Sequence, residues 1–242
     1  MAFNGREMRS FIDEDGVLTL SLEDVTIADP SVDEVIVRVE AAPINPSDLG
    51  LMFGAADVST MEGSGTRERP VATLTVSSDK LPSMRARIGQ SLAIGNEGAG
   101  TVVAAGAEAK ALEGKRVGMI GGAMYADYRR IRTDDVVVLP EGVTAAEGAS
   151  MFVNPLTALG FVETMHIEGH RAIVHTAAAS NLNALNLTLP YRTYANVACF
   201  GAVVGSFCLA GCGIDCGPWR PGYRAMPPMP ERCRAGTRRG WA

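Results

Sequence analysis

Two short segments of the sequence bring together side chains that could do chemistry. They read AAPINPSDLGL at residues 41–51 and AIGNEGAGTV at residues 93–102. The first places Asn45 and Ser47 in an Asn-Pro-Ser-Asp turn, and the second contains Asn96 among glycines. Amide oxygens are poor ligands for zinc compared with thiolates and imidazoles. The two segments therefore favour orienting a ligand by hydrogen bonds over holding a catalytic metal ion.

Residues 154 and 157 form a second candidate group. In the segment MFVNPLTALG, Asn154 and Thr157 lie three residues apart, a spacing that puts both side chains on one helix face. This spacing lets the amide and the hydroxyl point at the same ligand. The alternative is that Asn154 caps a helix that starts at Pro155, and the sequence leaves both interpretations open.

A third candidate is the segment TAAASN at residues 176–181, which follows an apolar run. A strand that leads into small residues is typical of the phosphate-binding turn of a nucleotide-binding fold. The side chains of Ala177, Ala178 and Ser180 are small enough for backbone N–H groups to approach a pyrophosphate. We therefore predict a strand at Ala172–His175 and a phosphate-binding turn after it.

The elements that must position these residues are mostly short strands. Residues 34–40 alternate apolar and polar side chains as a half-buried strand requires, although Ile36 interrupts the pattern. Residues 54–90 are polar and turn-rich, so we predict a long loop, either a substrate-side lid or a variable surface insertion. Glu147 lies three residues after Thr144, which predicts a capping box at a helix start. Further strands are predicted at Ser91–Ile94, Gly100–Ala104, Arg116–Ile120, Tyr128–Arg132 and Val136–Leu139.

The composition limits the class of protein. A chain of 242 residues that is 47% hydrophobic can bury one large core or two modest ones, so we expect one or two domains. A net charge of -5 argues against binding nucleic acid by neutralising its phosphates. The N-terminal segment carries charges of both signs and lacks the apolar core of a secretory signal, which favours a cytoplasmic location.

The last quarter of the chain has a different composition. From residue 181 onward it contains no lysine, seven arginines and two acidic residues, and all five cysteines follow residue 198. Such a composition does not supply the alternating strands and helices of a parallel sheet. Our hypothesis is a divergent tail at 183–242 that is translated out of frame or disordered. The uncharged run at 195–214 is long enough to span a bilayer, but its Gly, Ala, Cys and Ser content favours a buried segment.

Five segments follow one another in an informative order: VDEVIVRVEAAPINPSD, GNEGAGTVVAAG, GKRVGMI, YADYRRI and VVVLPEGVTAAEGASMFVNPLTALG. In this order they resemble the medium-chain dehydrogenase/reductase superfamily, in particular its zinc-independent quinone oxidoreductase and enoyl reductase branch. Zinc-dependent members of that superfamily place a Cys where this chain has Asn45. They place a His where this chain has Asn96, within a motif that here reads Gly95-Asn96-Glu97. The resemblance therefore implies a site without catalytic zinc, and we predict no metal ligands.

The resemblance also implies a fold. It is an α/β fold with a β-rich part, in which a GroES-like β-barrel domain at residues 1–140 carries the substrate. The start of a Rossmann-like, doubly wound NAD(P)-binding domain follows at 141–182 and is incomplete, because a full domain of this kind needs two βαβαβ halves.

The implied reaction is hydride transfer from NAD(P)H to a quinone or another conjugated carbonyl or enoyl acceptor. Asn45 and Ser47 resemble positions that meet the nicotinamide end of the cofactor, although both residue types also favour a simple turn around Pro46. Asn154 and Thr157 resemble cofactor contacts from the first helices of the nucleotide domain. The Ala177, Ala178 and Ser180 segment resembles the alanine-containing phosphate turn of the quinone reductase branch. NADP is the expected cofactor, with NAD as the alternative, because the selecting residue would fall in the divergent tail.

The sequence assigns no proton donor and no catalytic residue. The stretch LGLMF after the Asn-Pro-Ser-Asp turn has no hydroxyl, which leaves Tyr125 and Tyr128 as alternates. The expected partner is a small conjugated carbonyl or quinone, without nucleic acid or membrane, and a homodimer is left open. The alternative function is that of a truncated, catalytically inactive family fragment, which acts at most as a binding or oligomerisation module.

Overall fold

The computed structural model describes residues 2–170, 172–175, 196–200 and 207–210. The chain divides into two compact units, Met1–Thr157 and Ala158–Ala242. Two five-stranded sheets make up most of the first unit. In chain order their strands are β1 (Phe3–Ile12), β2 (Val17–Ile27), β3 (Glu34–Ala41), β4 (Asp57–Gly65), β5 (Pro70–Thr75), β6 (Leu92–Ala93), β7 (Glu97–Ala105), β8 (Arg116–Ile120), β9 (Tyr128–Arg132) and β10 (Val136–Val138).

Three α-helices lie in the described part of the chain: α1 (Pro46–Phe53), α2 (Ala145–Gly148) and α3 (Val153–Ile167). The predicted capping box at the start of α2 is confirmed, because the Thr144 hydroxyl accepts a hydrogen bond from Glu147 N at 3.2 Å. In return, the Glu147 carboxylate accepts one from Thr144 N at 2.8 Å. None of the helices that the structure describes is long and apolar enough to cross a membrane.

The first sheet has the strand order β4-β5-β2-β1-β6, and all its neighbouring strands are antiparallel. The apolar side chains of one face form a core cluster, and Met52 of α1 belongs to it. Burying a side chain of this size contributes about 1.5–3 kcal/mol, so apolar packing holds α1 against this sheet. The buried members of the cluster are Ile12, Leu18, Leu20, Met52, Leu74, Val76 and Ile94.

The second sheet has the order β10-β8-β7-β3-β9 and is also antiparallel. In β7, Gly100 pairs with Val39 of β3, and a side chain at Gly100 would overlap the Arg38 carbonyl oxygen. A glycine is therefore needed where these two backbones approach each other. The buried members of this sheet's core are Val35, Val37, Val102, Ala105, Ala109, Val117, Met119, Met124 and Ile131.

In the second unit the structure describes the C-terminal part of α3 and three strands, β11 (Ala172–His175), β12 (Asn196–Phe200) and β13 (Phe207–Ala210). The strand predicted at 172–175 is confirmed. It pairs in parallel with β12, which pairs antiparallel with β13. The apolar run at 195–214 thus contains two strands, and its other residues lie outside the described part of the chain. The predicted boundaries of the Rossmann-like domain and of the tail stay predictions.

The strands predicted in the second sheet are confirmed, with shifts of a few residues at their ends. The prediction of a long loop at 54–90 is wrong, because this segment contains β4, β5 and a short 3-10 helix at Leu81–Met84. Every residue of β4 is exposed, so the strand has no buried face that would produce alternation. Its ladder with β5 supplies the order that the sequence pattern lacks. The long hairpin of β1 and β2 was not predicted either.

Replacing Gly100 with Ala should destabilise the fold. The added methyl group would push against the Arg38 carbonyl oxygen, and crowding of this kind typically costs about 1–3 kcal/mol. The midpoint of urea unfolding should fall accordingly. The matched control is Gly63→Ala in β4, where nothing lies within 4 Å of the added atom. Equal midpoints for the two variants would contradict the close approach of β3 and β7.

Candidate active site

A buried carboxylate, Asp48, joins the Asn45 turn to the glycine-rich segment. Its Oδ2 accepts a hydrogen bond from Asn45 N at 2.7 Å, and its Oδ1 accepts one from Asn96 N at 2.9 Å. The first bond caps α1, because a carboxylate in the first helical turn satisfies the N–H of the residue before the helix. The second bond ties the start of α1 to the segment that leads into β7. Asp48 is fully buried, so both motifs meet inside the protein.

A second buried carboxylate, Glu97, lies at the start of β7 and is fully shielded from solvent. Its Oε1 accepts a hydrogen bond from the Asn45 side-chain amide at 3.0 Å. Its Oε2 accepts two backbone hydrogen bonds, from Phe152 N at 2.8 Å and from Val153 N at 3.0 Å. Glu97 therefore holds the Asn45 side chain and also satisfies N–H groups at the beginning of α3.

The remaining polar side chains complete a small hydrogen-bonded group around Asn45. Asn154 donates from Nδ2 to Asn45 Oδ1 at 3.4 Å, and Asn96 donates from Nδ2 to the Ser47 hydroxyl at 2.8 Å. Ser47 is exposed, whereas Asn45 is only 3% exposed. Thr157 is exposed as well, and its hydroxyl donates to the Val153 carbonyl within α3 at 2.6 Å. The structure thus brings together three of the predicted residues, Asn45, Ser47 and Asn154.

The other four predicted cofactor residues do not join this hydrogen-bonded group or lie outside the described part of the chain. Thr157 lies on α3 one turn after Val153, but its hydroxyl is directed to its own helix backbone. Ala177, Ala178 and Ser180 lie outside the described residues. The predicted cofactor role of all seven residues stays a prediction.

The C-terminal end of α1 is held by a residue that the sequence analysis did not single out. The guanidinium of Arg87 donates from Nη2 to Leu51 O at 2.6 Å and to Ser10 Oγ at 2.9 Å. The hydroxyl of Ser10, which is fully buried, donates to Met52 O at 3.0 Å. Carbonyl groups at a helix C-terminus lack intrahelical partners, and these side chains supply them. Partial burial lowers the pKa of Arg87, yet its donors remain directed at α1.

Tyr125 packs beside the same turn. Its hydroxyl donates to Pro43 O at 2.9 Å. Burial, followed by the nearby Asp48 carboxylate, raises the pKa of Tyr125 to about 12, so the phenol stays protonated at neutral pH. Gly95 makes room for it, because its φ is 100° and a side chain there would come within 2.8 Å of the Tyr125 ring. Tyr128, the other alternate, lies on β9 and packs its ring against Phe3 with centroids 5.4 Å apart.

The site is built from amides, hydroxyls and carboxylates. Among the described residues, no group of three or more His, Cys, Asp or Glu side chains is arranged to hold a metal ion. The amides of Asn45 and Asn96 are instead bonded to Glu97 and Ser47. The arrangement can therefore present hydrogen-bonding groups to a ligand at the start of α1.

Comparison with known proteins agrees with this architecture. Residues 31–141 match the alcohol dehydrogenase GroES-like domain family. A protein from Mesorhizobium loti described as an NADPH:quinone reductase is 25% identical, with a TM-score of 0.56 over 80% of this chain and 54% of that one. One from Bacillus thuringiensis with the same description is 25% identical, with a TM-score of 0.59 over 81% of this chain and 52% of that one. The quinone oxidoreductase of Coxiella burnetii shares the fold at 18% identity, with a TM-score of 0.58 over 81% of this chain and 56% of that one.

These matches define the class of protein as a GroES-like β-rich domain within a truncated α/β fold, and they confirm the predicted fold class. These similarities support the predicted resemblance to the medium-chain dehydrogenase/reductase superfamily and its quinone oxidoreductase-like branch. It spans about half the length of the solved structures that it matches. Comparison with the curated proteins gives no match.

Replacing Arg87 with Met should loosen α1. The change keeps most of the apolar stem but removes the donors to Leu51 O and Ser10 Oγ, and each buried acceptor left without a partner costs about 1–3 kcal/mol. The urea midpoint should drop, and amide exchange in α1 should become faster. Arg85→Met is the control, because Arg85 is exposed and lies two residues away. If Arg85→Met lowers the midpoint as much, the contacts to α1 are not the cause.

Tyr125 should make the fold sensitive to alkaline pH. Its pKa is about 12 in the folded protein, whereas an unfolded tyrosine ionises at about 10. The folded state therefore holds this proton more tightly, and its stability should fall as the pH rises from about 10 to about 12. Tyr125→Phe should remove that part of the pH dependence, as measured by unfolding midpoints across this range. A tyrosinate absorbance titration that detects no residue ionising near pH 12 would refute this assignment.

Proposed function

We propose that this chain is a zinc-independent, NAD(P)H-dependent oxidoreductase that transfers hydride to a quinone or another conjugated carbonyl or enoyl acceptor. The observation that carries the proposal is the hydrogen bonding of the Asn45 and Asn96 amides to Glu97 and Ser47. Amides held in this way offer no strong ligand to zinc. A conjugated acceptor needs no metal ion, because it spreads the arriving charge over its own oxygen.

The side chains around Asn45 fit the nicotinamide end of a cofactor by their chemistry. The Ser47 hydroxyl accepts a hydrogen bond from Asn96 and keeps its own hydrogen for a ligand. Asn154 uses one amide hydrogen toward Asn45 and retains a second hydrogen and its carbonyl oxygen. These uncharged donors and acceptors match a carboxamide and a sugar hydroxyl. We therefore infer that Asn45, Ser47 and Asn154 line the nicotinamide end, with Thr157 beside them on α3.

The protein's part in the reaction is to orient the reactants. Nicotinamide supplies the hydride chemistry when it is bound. Ser47 and Asn154 then hold polar groups in place. The two capped ends of α1 keep Ser47 from shifting, and Asn154 is bonded to Asn45. The buried Asp48 and Glu97 lie behind this surface, where their N–H partners hold them. Tyr125 keeps its proton and supports the turn through Pro43.

The proposal also covers the choice of cofactor, the contact with its pyrophosphate, the location of the protein and its partners. NADP is favoured over NAD, because the two relatives at 25% identity are described as NADPH:quinone reductases. The Ala177, Ala178 and Ser180 turn is proposed to meet the pyrophosphate. A cytoplasmic location, a homodimer and the absence of a nucleic acid partner also stay proposals, the last because of the net charge of -5.

The test is a titration of the purified chain with NADPH, followed by fluorescence, together with NADPH oxidation in the presence of a small quinone. We expect saturable binding and quinone-dependent oxidation that a zinc chelator does not inhibit. Asn154→Ala should weaken NADPH binding by about tenfold, the effect of losing one or two polar contacts. Glu141→Gln, at an exposed position in the turn before α2, is the control and should bind as the parent does.

Two outcomes would decide against the proposal. Absence of NADPH and NADH binding at millimolar concentration would favour the alternative of an inactive binding or oligomerisation module. Loss of activity on chelation, with zinc recovered in stoichiometric amount from the purified chain, would contradict the zinc-free site.

A further inference from the structure

The Glu97 side chain acts toward its neighbours only as a hydrogen-bond acceptor. Its Oε2 receives two backbone N–H groups, and its Oε1 receives the Asn45 amide. All three groups that face the Glu97 carboxylate are N–H donors, and a carboxylate oxygen accepts hydrogen bonds. Whatever faces Oε1 must therefore present a donor.

This requirement fixes the orientation of the Asn45 amide. An asparagine side chain can rotate by half a turn and exchange its NH2 group with its carbonyl oxygen. With Glu97 as neighbour, Asn45 must direct Nδ2 to the carboxylate, and its Oδ1 then points away. Asn45 is buried, so that oxygen needs a protein donor. Nδ2 of Asn154 is a donor to it, at 3.4 Å.

The orientation of Asn154 follows in the same way. Because its NH2 group is directed to Asn45, its carbonyl oxygen lies on the other side of the amide group and points away from Asn45. Asn154 is half-buried, whereas Asn45 and Glu97 are buried. Among these three side chains, the hydrogen bonds thus run from a group at the surface to a buried charge.

We propose that Glu97 is a positioning residue that acts through Asn45, so that Asn154 presents its carbonyl oxygen, a hydrogen-bond acceptor, to the ligand. The matching ligand group is a donor, such as the NH2 of a carboxamide. The inference rests on the proposed function, because it assigns a specificity to the same nicotinamide site. We call the three side chains Glu97, Asn45 and Asn154 the amide relay.

The amide relay can be reversed and then restored by substitution. In Glu97→Gln, the oxygen can still receive Phe152 N and Val153 N, but its NH2 group now faces Asn45. Both asparagines must then rotate, and Asn154 presents its NH2 group to the ligand. In Asn45→Asp with Glu97→Gln, the new carboxylate accepts from Gln and from Asn154 together. Asn154 returns to its original orientation, and the formal charge equals that of the parent.

The experiment measures NADPH affinity by fluorescence titration in four proteins: the parent, E97Q, N45D and N45D/E97Q. E97Q should bind NADPH about tenfold more weakly, and N45D/E97Q should recover to within about twofold of the parent, since its polar groups are again all paired. N45D alone should be the least stable, because it places two carboxylates together. Glu141→Gln serves as the control for removing an exposed carboxylate.

Urea midpoints without cofactor test the amide relay separately from the proposed function. Recovery of the N45D midpoint on adding E97Q would support the relay, even if E97Q alone folds poorly. Additive losses in the double variant, in midpoint or in affinity, would overturn it and leave Glu97 with a purely structural role. If no variant and no parent binds NADPH while the midpoints recover, the proposed function fails. In that case the specificity fails with it, and the relay stands only as a structural network.

Discussion

The arrangement of the site depends on the cost of burying charge. A carboxylate removed from water is tolerated when N–H groups replace its hydration. Glu97 finds three of them, from the Asn45 side chain and from the backbone of residues 152 and 153. Asp48 finds two, from the backbones of Asn45 and Asn96. Because these donors come from segments far apart in the sequence, the two acids oblige those segments to meet at one place.

Apolar packing and polar capping together hold α1 in place. A helix of eight residues is short of the roughly 12–15 residues that give even marginal stability in isolation. Met52 buries one face against the first sheet, which fixes where the helix lies. Asp48 at one end and Ser10 with Arg87 at the other satisfy backbone groups that the helix leaves open. Together these contacts keep Ser47 in a defined position on an element that would not form alone.

Much of this could be predicted from the sequence. Alternation in β3 and the bounded apolar run in β8 carry their own pattern, and the Thr144–Glu147 capping box is local. The strand β4 carries no such pattern, because all its residues are exposed and only pairing with β5 orders it. The family resemblance directed attention to Asn45, Ser47 and Asn154. Asp48 had a local signal, since an acid three residues after an asparagine favours a helix cap.

The long-range contacts of Arg87 and Glu97 could not be predicted from the sequence. Arg87 binds backbone carbonyls 36 and 37 residues earlier, and a guanidinium that recognises peptide groups selects no particular partner residue type. The backbone donors of Glu97 lie 55 and 56 residues later, so their identity as donors does not depend on their side chains. Contacts of this kind exist only once the sheets have brought the segments together.

The hydrogen bonds of Asn45 and Asn96 also determine what a zinc site at this position would displace. A thiolate at position 45 and an imidazole at position 96 would supply two zinc ligands. The thiolate would also face the Glu97 oxygen that now receives an amide hydrogen, and the Ser47 hydroxyl would lose its donor. Each intermediate substitution thus loses a satisfied polar contact before any metal is gained. Each single substitution toward a zinc site is therefore unfavourable by itself, so this network resists conversion into a metal-binding one.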